Sequence, residues 1–308
     1  MRYRPILSIL QANCFVGKLV FMDILINGLS LGAVYALIAL GYTMVYGIAK
    51  MLNFAHGDII MVGAYTIFVT LSAYLHPLIG LALAVVLCVV LGVVVERLAY
   101  RPLRGASPLA VLITAIGVSY SLQSVAQLIF KPDPRNADIG ITGTVTVFGS
   151  SVKISTLIAL AACLVIMVAL LLFIKKTRVG RAMLAVSEDR GAAALMGIDT
   201  NFIIMLTFAI GSALAACASF FYLMRIPSVE PTLGSLPGIK AFTAAVIGGI
   251  GSVPGAMIGG ILLGIIECIA LAFPAINPYT GAIEFALLII ILLVRPVGLL
   301  GKKRREKV

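Results

Sequence analysis

The chain has 308 residues, of which 61% are hydrophobic and 11% are charged, and its mean hydropathy is +1.14. A soluble domain cannot bury that much apolar side chain, so the composition excludes a water-soluble globular protein and indicates one whose solvent is lipid. The net charge of +11 could indicate nucleic-acid binding. The basic residues, however, lie in short loops and the C-terminal tail, as the positive-inside rule expects, so nucleic acid is not expected as a partner.

Apolar runs of roughly 18 residues or more follow one another along the chain and predict membrane-spanning helices. Backbone polar groups in lipid must be satisfied within each segment, and the alternating short strands of a β-barrel do not occur. The sequence therefore predicts an all-α, polytopic membrane helix bundle with about 8–10 transmembrane helices, including short or broken ones. The predicted helices lie at about 24–48, 58–75, 78–98, 108–130, 153–174, 201–223, 239–248, 252–273 and 282–294.

Residues 1–21 surround a short apolar stretch with basic residues and resemble a signal peptide, but no cleavage site is evident. A cleaner segment begins at Met22. One hypothesis is that translation starts there and that 1–21 is an N-terminal extension that is not translated. The alternative is that these residues form a further span. The mass of the intact expressed protein decides whether 1–21 is translated, and a dominant mass that includes these residues would contradict the Met22 start.

Placing the basic C-terminal tail, residues 302–308, in the cytoplasm puts most of the loop lysines and arginines on the same side. This orientation also places the polar loop 175–200 in the cytoplasm. The turn-rich loop 131–152, with a predicted strand at 144–148, then lies outside.

The sequence contains few residues for metal or catalytic chemistry. It has five cysteines, mostly inside apolar runs and without a Cys-x-x-Cys pair, and two histidines. No nucleophile–His–acid arrangement is evident. No metal, cofactor, catalytic residue or enzyme activity is therefore predicted.

The loop 175–200 is the longest polar stretch that favours helix. Ser187 is predicted to be an N-cap, Glu188 and Asp189 place negative charge in the first turn, and Gly197 suits the position after the C-cap. A helix of about nine residues is marginal alone in water, so docking onto a partner would stabilise it. The alternative is an ordinary cytoplasmic loop. The candidate contact residues are Arg181, Ser187, Glu188, Asp189, Ala192, Ala193 and Gly197.

Two glycine-rich breaks, at 53–58 and 248–255, interrupt the apolar pattern. Asn53 and Ser252 are the predicted N-caps of the helices that follow. Paired interrupted helices are typical of transport sites, because half-helix N-termini can face an anionic group such as a carboxylate. Close helix crossings are the alternative explanation for the glycines. The candidate residues for a translocation path at these breaks are Asn53, His56, Gly57, Asp58, Gly248, Gly249, Gly251 and Ser252.

Glu267 lies well inside the predicted helix 252–273. An ionised acid at mid-membrane is costly, so it is expected to face protein or water rather than lipid. It either belongs to the translocation path or pairs with a polar group on a neighbouring helix. Glu284 lies closer to a helix end and carries less information.

Several stretches together resemble one family. The run from Glu188 to Ala193, followed by Gly197, resembles the Glu-Ala-Ala…Gly loop by which ABC importer permeases contact their ATPase subunits, although here Asp-Arg-Gly follows Glu188. Residues 41–58 and 240–260 resemble branched-chain amino acid permeases. With Glu96-Arg97 and Gly180-Arg181, the likeness runs from about residue 22 to the end of the chain. It is specific to the H-type permease subunit of the high-affinity leucine/isoleucine/valine importer.

The resemblance implies a passive pathway, with 22–301 as the transmembrane permease domain and 175–200 as its coupling loop. In that family, two related permeases assemble with two ATP-binding subunits and an extracytoplasmic amino-acid-binding protein in the plasma membrane of a bacterium or archaeon. The chain has no Gly-x4-Gly-Lys-Ser/Thr phosphate loop, so ATP hydrolysis is expected on other chains. The alternatives are a permease for urea or short amides and, less well supported, a stand-alone secondary transporter or channel.

Overall fold

The computed structural model describes residues 4–147 and 150–301. This part of the chain forms eleven α-helices joined mostly by short loops. They are α1 (Arg4–Ala49), α2 (His56–Ser72), α3 (Pro77–Val95), α4 (Pro108–Phe130), α5 (Ile154–Lys176), α6 (Arg178–Glu188), α7 (Arg190–Leu195), α8 (Thr200–Leu223), α9 (Ser235–Gly248), α10 (Val253–Ala272) and α11 (Thr280–Val294). A π-helical turn (Glu96–Tyr100) and a 3-10 turn (Arg101–Leu103) extend α3, and another 3-10 turn (Asn277–Tyr279) precedes α11.

The described strands are short and lie in the loops. β1 (Arg135–Asn136) pairs antiparallel with β4 (Ser228–Val229), and β2 (Thr144–Val147) pairs antiparallel with β3 (Ser150–Lys153). The strand predicted at 144–148 is confirmed as far as residue 147, and residue 148 lies outside the described part of the chain.

Seven helices of the described chain are long and apolar enough to cross a membrane: α1, α3, α4, α5, α8, α10 and α11. The shorter apolar helices α2 and α9 accompany them. The predicted all-α, polytopic bundle is therefore confirmed. The basic tail, 302–308, lies outside the described residues, and the Met22 start stays a prediction.

The core of the bundle lies around α1, which packs against α5, α8, α9 and α10. Gly28 and Gly32 of α1 face Gly260 and Gly264 of α10 so closely that a Cβ on Gly264 would overlap the backbone of Gly32. Small residues let two helix backbones approach in a membrane, where van der Waals packing replaces the hydrophobic effect. The Gly-x-x-x-Gly stretch of α1 is thus a helix-packing seam.

The outer helices present apolar side chains to the surroundings. Only 17% of the apolar stretch of α4 and 11% of that leading through α11 are buried, whereas 78% of the apolar stretch of α1 is buried. Exposed leucine, isoleucine and valine side chains on α3, α4, α5 and α11 suit contact with lipid. With apolar side chains on its outer surface, the bundle leaves its interior and its ends for polar and charged contacts.

Candidate functional site

The loop 175–200 folds into two helices, α6 and α7, rather than the single helix predicted from Ser187. Ser187 lies in the last turn of α6 and donates a hydrogen bond to the Leu184 carbonyl at 2.7 Å, so its prediction as an N-cap is wrong. Asp189 is the cap of α7 and accepts a hydrogen bond from the Ala192 amide at 3.0 Å. Thr177 caps α6 by accepting from the Gly180 amide at 2.9 Å, so α6 begins ten residues before the predicted start.

The C-terminus of α7 matches the prediction for Gly197. This residue has φ of +81°, a conformation that glycine adopts without a Cβ penalty. Its amide donates to the Ala194 carbonyl at 3.0 Å, and the Ile198 amide donates to the Ala193 carbonyl at 3.0 Å. These two bonds form a Schellman motif, which satisfies carbonyls at the end of the helix.

The loop has an inner face and an outer face. Met183, Val186 and Ala193 are buried against the bundle, so Ala193 faces inward rather than toward a partner. Leu195 and Met196, at the tip of α7, are 91% and 82% exposed. The candidate contact residues that lie exposed are Arg181, Glu188, Asp189, Ala192 and Gly197.

The first predicted break differs from its sequence interpretation. α2 begins at His56 with Ala55 in the cap position, and the Asn53 Oδ1 instead accepts a hydrogen bond from the Tyr100 hydroxyl at 2.8 Å. Asn53 is therefore not an N-cap as predicted, because this buried contact with the turn after α3 takes its side chain. Ser252 is confirmed as the cap of α10, since it accepts from the Gly255 amide at 3.3 Å.

The glycines at the breaks serve close backbone contacts. A Cβ on Gly234, just before α9, would overlap the Gly57 carbonyl, so the N-termini of α2 and α9 meet directly. In the second break, Gly249 and Gly251 have φ of +107° and +92°. Gly248, in the last turn of α9, packs against Gly255 of α10. The close helix crossings that were the alternative explanation for these glycines are present.

A polar cluster lies where α2 and α9 begin. Asp58, in the first turn of α2, is buried and accepts a hydrogen bond from Gln123 Nε2 of α4 at 2.8 Å. The same Nε2 lies 3.3 Å from the hydroxyl oxygens of Ser119 and Ser235. A carboxylate near a helix N-terminus is favoured by the helix dipole. The α2 terminus that was expected to face an anionic ligand thus already holds a carboxylate of the chain itself.

His56, the first residue of α2, packs against α1. It is 1% exposed, and a Cβ on Gly41 would overlap its imidazole ring. The Tyr42 ring lies edge-on to it, with centroids 4.8 Å apart. The His56 imidazole therefore occupies the space beside α1 that a side chain at Gly41 would take.

Glu267 belongs to a buried ion cluster that joins α9, α10 and α11. Lys240 Nζ lies 2.7 Å from Glu267 Oε1 and 3.3 Å from Glu284 Oε1. The expectation that Glu267 faces protein is confirmed, and of its two interpretations the structure shows pairing with a neighbouring helix. Glu284, judged less informative, is 1% exposed and completes the cluster.

Comparison with known proteins shows the family of the chain. A family model described as "Branched-chain amino acid transport system / permease component" matches residues 24–292. The chain belongs to this family. Its relatives include the high-affinity branched-chain amino acid transport system permease protein BraD of Pseudomonas aeruginosa, 44% identical over 94% of this chain and 98% of the relative. LivH of Escherichia coli K12, with the same description, is 42% identical over the same shares.

A solved structure shows the same fold at low sequence similarity. The structure titled "PsaBC from Streptococcus pneumoniae in complex with Fab" matches with a TM-score of 0.51 and 15% identity, over 92% of this chain and 96% of that one. At this identity the likeness shows the fold of the permease alone.

Sequence reasoning missed several polar contacts of the permease. Nothing in the sequence marked Lys240 or Gln123 as the partner of a buried carboxylate. Their partners lie on helices distant in sequence, so no local pattern reveals them. The one available signal was the presence of charged and amide side chains inside apolar helices, where each needs a partner. Among the residues that the structure describes, no group of three or more His, Cys, Asp or Glu side chains could hold a metal ion.

Proposed function

We propose that this permease is the membrane subunit of an ABC importer that moves branched-chain amino acids into the cell. The observation that carries the proposal is its 44% identity, over 94% of its length, to a permease named for high-affinity branched-chain amino acid transport. The lack of a phosphate loop in the sequence supports a passive pathway driven by ATP hydrolysis on other chains. Relatives with this cargo in their names favour it over urea or short amides.

The proposed assembly contains this permease, a second related permease, two ATP-binding subunits and an extracytoplasmic amino-acid-binding protein. The ATP-binding subunits would dock on α6 and α7. Leu195 and Met196 project from the tip of α7 and are almost fully exposed. Burying two such side chains in a groove stabilises a complex by about 1.5–3 kcal/mol each.

The connections of the loop suit the transmission of force. α6 begins two residues after the end of α5, and four residues separate the end of α7 from the start of α8. Gly180 in α6 packs against the backbone of Ile174 in α5, so the turn between them is tight. A displacement of α6 and α7 by the ATP-binding subunits would therefore move α5 and α8 with little slack.

Replacement of Leu195 with Asp tests the docking surface. We expect co-purification of the ATP-binding subunits to fall about tenfold or more, because the charge would have to be desolvated at the contact. The matched control is Leu75→Asp, an exposed leucine between α2 and α3, at the opposite end of the bundle. Equal recovery of ATP-binding subunits with both variants would contradict the docking proposal.

A further inference from the structure

The cytoplasmic end of α1 has an unusual set of hydrogen-bond partners. The last carbonyls of a helix have no partner within it and need donors from elsewhere. The backbone amide of Lys50 donates to the Tyr46 carbonyl at 2.9 Å, and its Nζ donates to the Gly47 carbonyl. The two remaining carbonyls, of Ile48 and Ala49, accept hydrogen bonds from Arg190.

Arg190 is the first residue of α7, the short helix at the proposed docking surface. Its Nη2 lies 3.2 Å from the Ile48 carbonyl oxygen and also donates to the Ala49 carbonyl. Two hydrogen bonds therefore join α7 to α1, across 142 and 141 positions of sequence. Basic caps usually come from the last turn of the same helix, so a donor on a distant helix ties two elements together.

The charge of Arg190 suits this position. A cation at a helix C-terminus interacts favourably with the helix dipole. Burial lowers the pKa of the Arg190 guanidinium from its usual value, and the nearby positive charge of Arg104 lowers it further. An arginine side chain nevertheless remains charged in proteins, so it keeps its donors.

The contact would transmit motion because of what α1 touches. α1 packs along α10 through the glycine seam and also contacts α5, α8 and α9. Ile48 and Ala49 are buried, so α7 cannot move away from α1 without leaving two buried carbonyls without these donors. Arg190 is also one of the residues, Asp-Arg-Gly after Glu188, at which the loop departs from the Glu-Ala-Ala pattern.

We propose that Arg190 is a positioning residue that couples movement of α7 to movement of the cytoplasmic end of α1. This role rests on the proposed function, since it needs ATP-binding subunits that displace α7. Movement of α7 would then reach the bundle in two ways. One is the chain connection to α5 and α8, and the other is the Arg190 contact with the central helix α1. The contact positions α1 and takes no part in binding the transported molecule.

The test compares Arg190→Ala and Arg190→Lys with the wild type in the complete complex, reconstituted into liposomes with both permeases, the ATP-binding subunits and the binding protein. The matched control is Arg101→Ala, an exposed arginine in the 3-10 turn after α3, outside the proposed docking surface. The readouts are recovery of ATP-binding subunits, ATP hydrolysis without the binding protein, and leucine transported per ATP hydrolysed.

For Arg190→Ala we expect normal recovery of ATP-binding subunits, hydrolysis within about twofold of wild type, and about tenfold less leucine transported per ATP. Arg190→Lys should keep part of the ratio, because an ammonium group also donates several hydrogen bonds. Arg101→Ala should match the wild type.

A wild-type ratio of leucine to ATP in Arg190→Ala would overturn the role. So would a lower yield of complex in which the surviving fraction keeps the wild-type ratio, since that result describes a helix cap and nothing more. A wild-type complex without ATP-driven leucine uptake would overturn the proposed function, and this role with it.

Discussion

At the scale of single residues, Lys240 makes it possible to bury two carboxylates inside the bundle. Its ammonium group contacts both Glu267 and Glu284, which come from two different helices. Removing one partner of a buried ion pair is far more costly than replacing the whole group, because it leaves a charge without compensation. The cluster thus joins α9, α10 and α11 through a single side chain.

Replacing Lys240 with Met should therefore lower the stability of the permease by about 3 kcal/mol. Thermal unfolding in detergent, followed by size-exclusion chromatography, measures this loss. Lys176→Met, at an exposed lysine in the last turn of α5, is the control. The triple variant K240M/E267Q/E284Q should regain most of the stability, because it leaves no buried charge unpaired. Equal melting temperatures of K240M and K176M would show that the cluster does not stabilise the bundle.

Gly197 ends α7 in a conformation that suits glycine, with φ of +81°. Its positive φ would cost a residue with a Cβ about 1–2 kcal/mol, so Gly197→Ala should loosen the end of α7. We expect ATP hydrolysis to drive less leucine uptake while the protein stays in the membrane.

Gly191, in the same helix, provides the control for this measurement. A Cβ there would meet Asp189 Oδ1 at 3.4 Å, an ordinary contact. Gly191→Ala should therefore leave ATP-driven uptake unchanged. Unchanged uptake in both variants would remove the support for α7 as a coupling element.

At the scale of elements, the seam between α1 and α10 holds the bundle together. Gly264→Ala would place a Cβ against the backbone of Gly32, which cannot move aside as a side chain could. Gly117→Ala, on α4, meets nothing within 4 Å and gains helix propensity. We expect the first variant to be less stable than the second by about 2 kcal/mol in a detergent melt, because overpacking is costly. Equal stability of the two variants would mean that α1 and α10 can move apart enough to fit the Cβ without a loss of stability.

Most spanning helices could be predicted from the sequence, because long apolar runs specify such helices locally. The start of α1 was wrong, since the helix begins at Arg4 rather than near residue 24, and α6 was not predicted. The cap of α7 could not be predicted, since Ser187 and Asp189 are both good caps and lie two residues apart. Asn53 failed as a cap because its partner, Tyr100, lies 47 positions away. The glycines at the breaks were ambiguous, since glycine marks a break in a helix and a close crossing equally well.

At the scale of the whole molecule, the proposed pathway has no energy source of its own. The bundle contains a tightly packed centre around α1, and the loop 175–200 exposes apolar side chains. The sequence contains no phosphate loop. Transport should therefore depend on partners that dock at this loop.

Reconstitution into liposomes tests this claim most directly, with leucine uptake measured for the permease alone and for the complete complex, each with and without ATP. We expect uptake only from the complete complex with ATP. Leucine uptake by the permease alone, at the rate of the complete complex, would contradict the account.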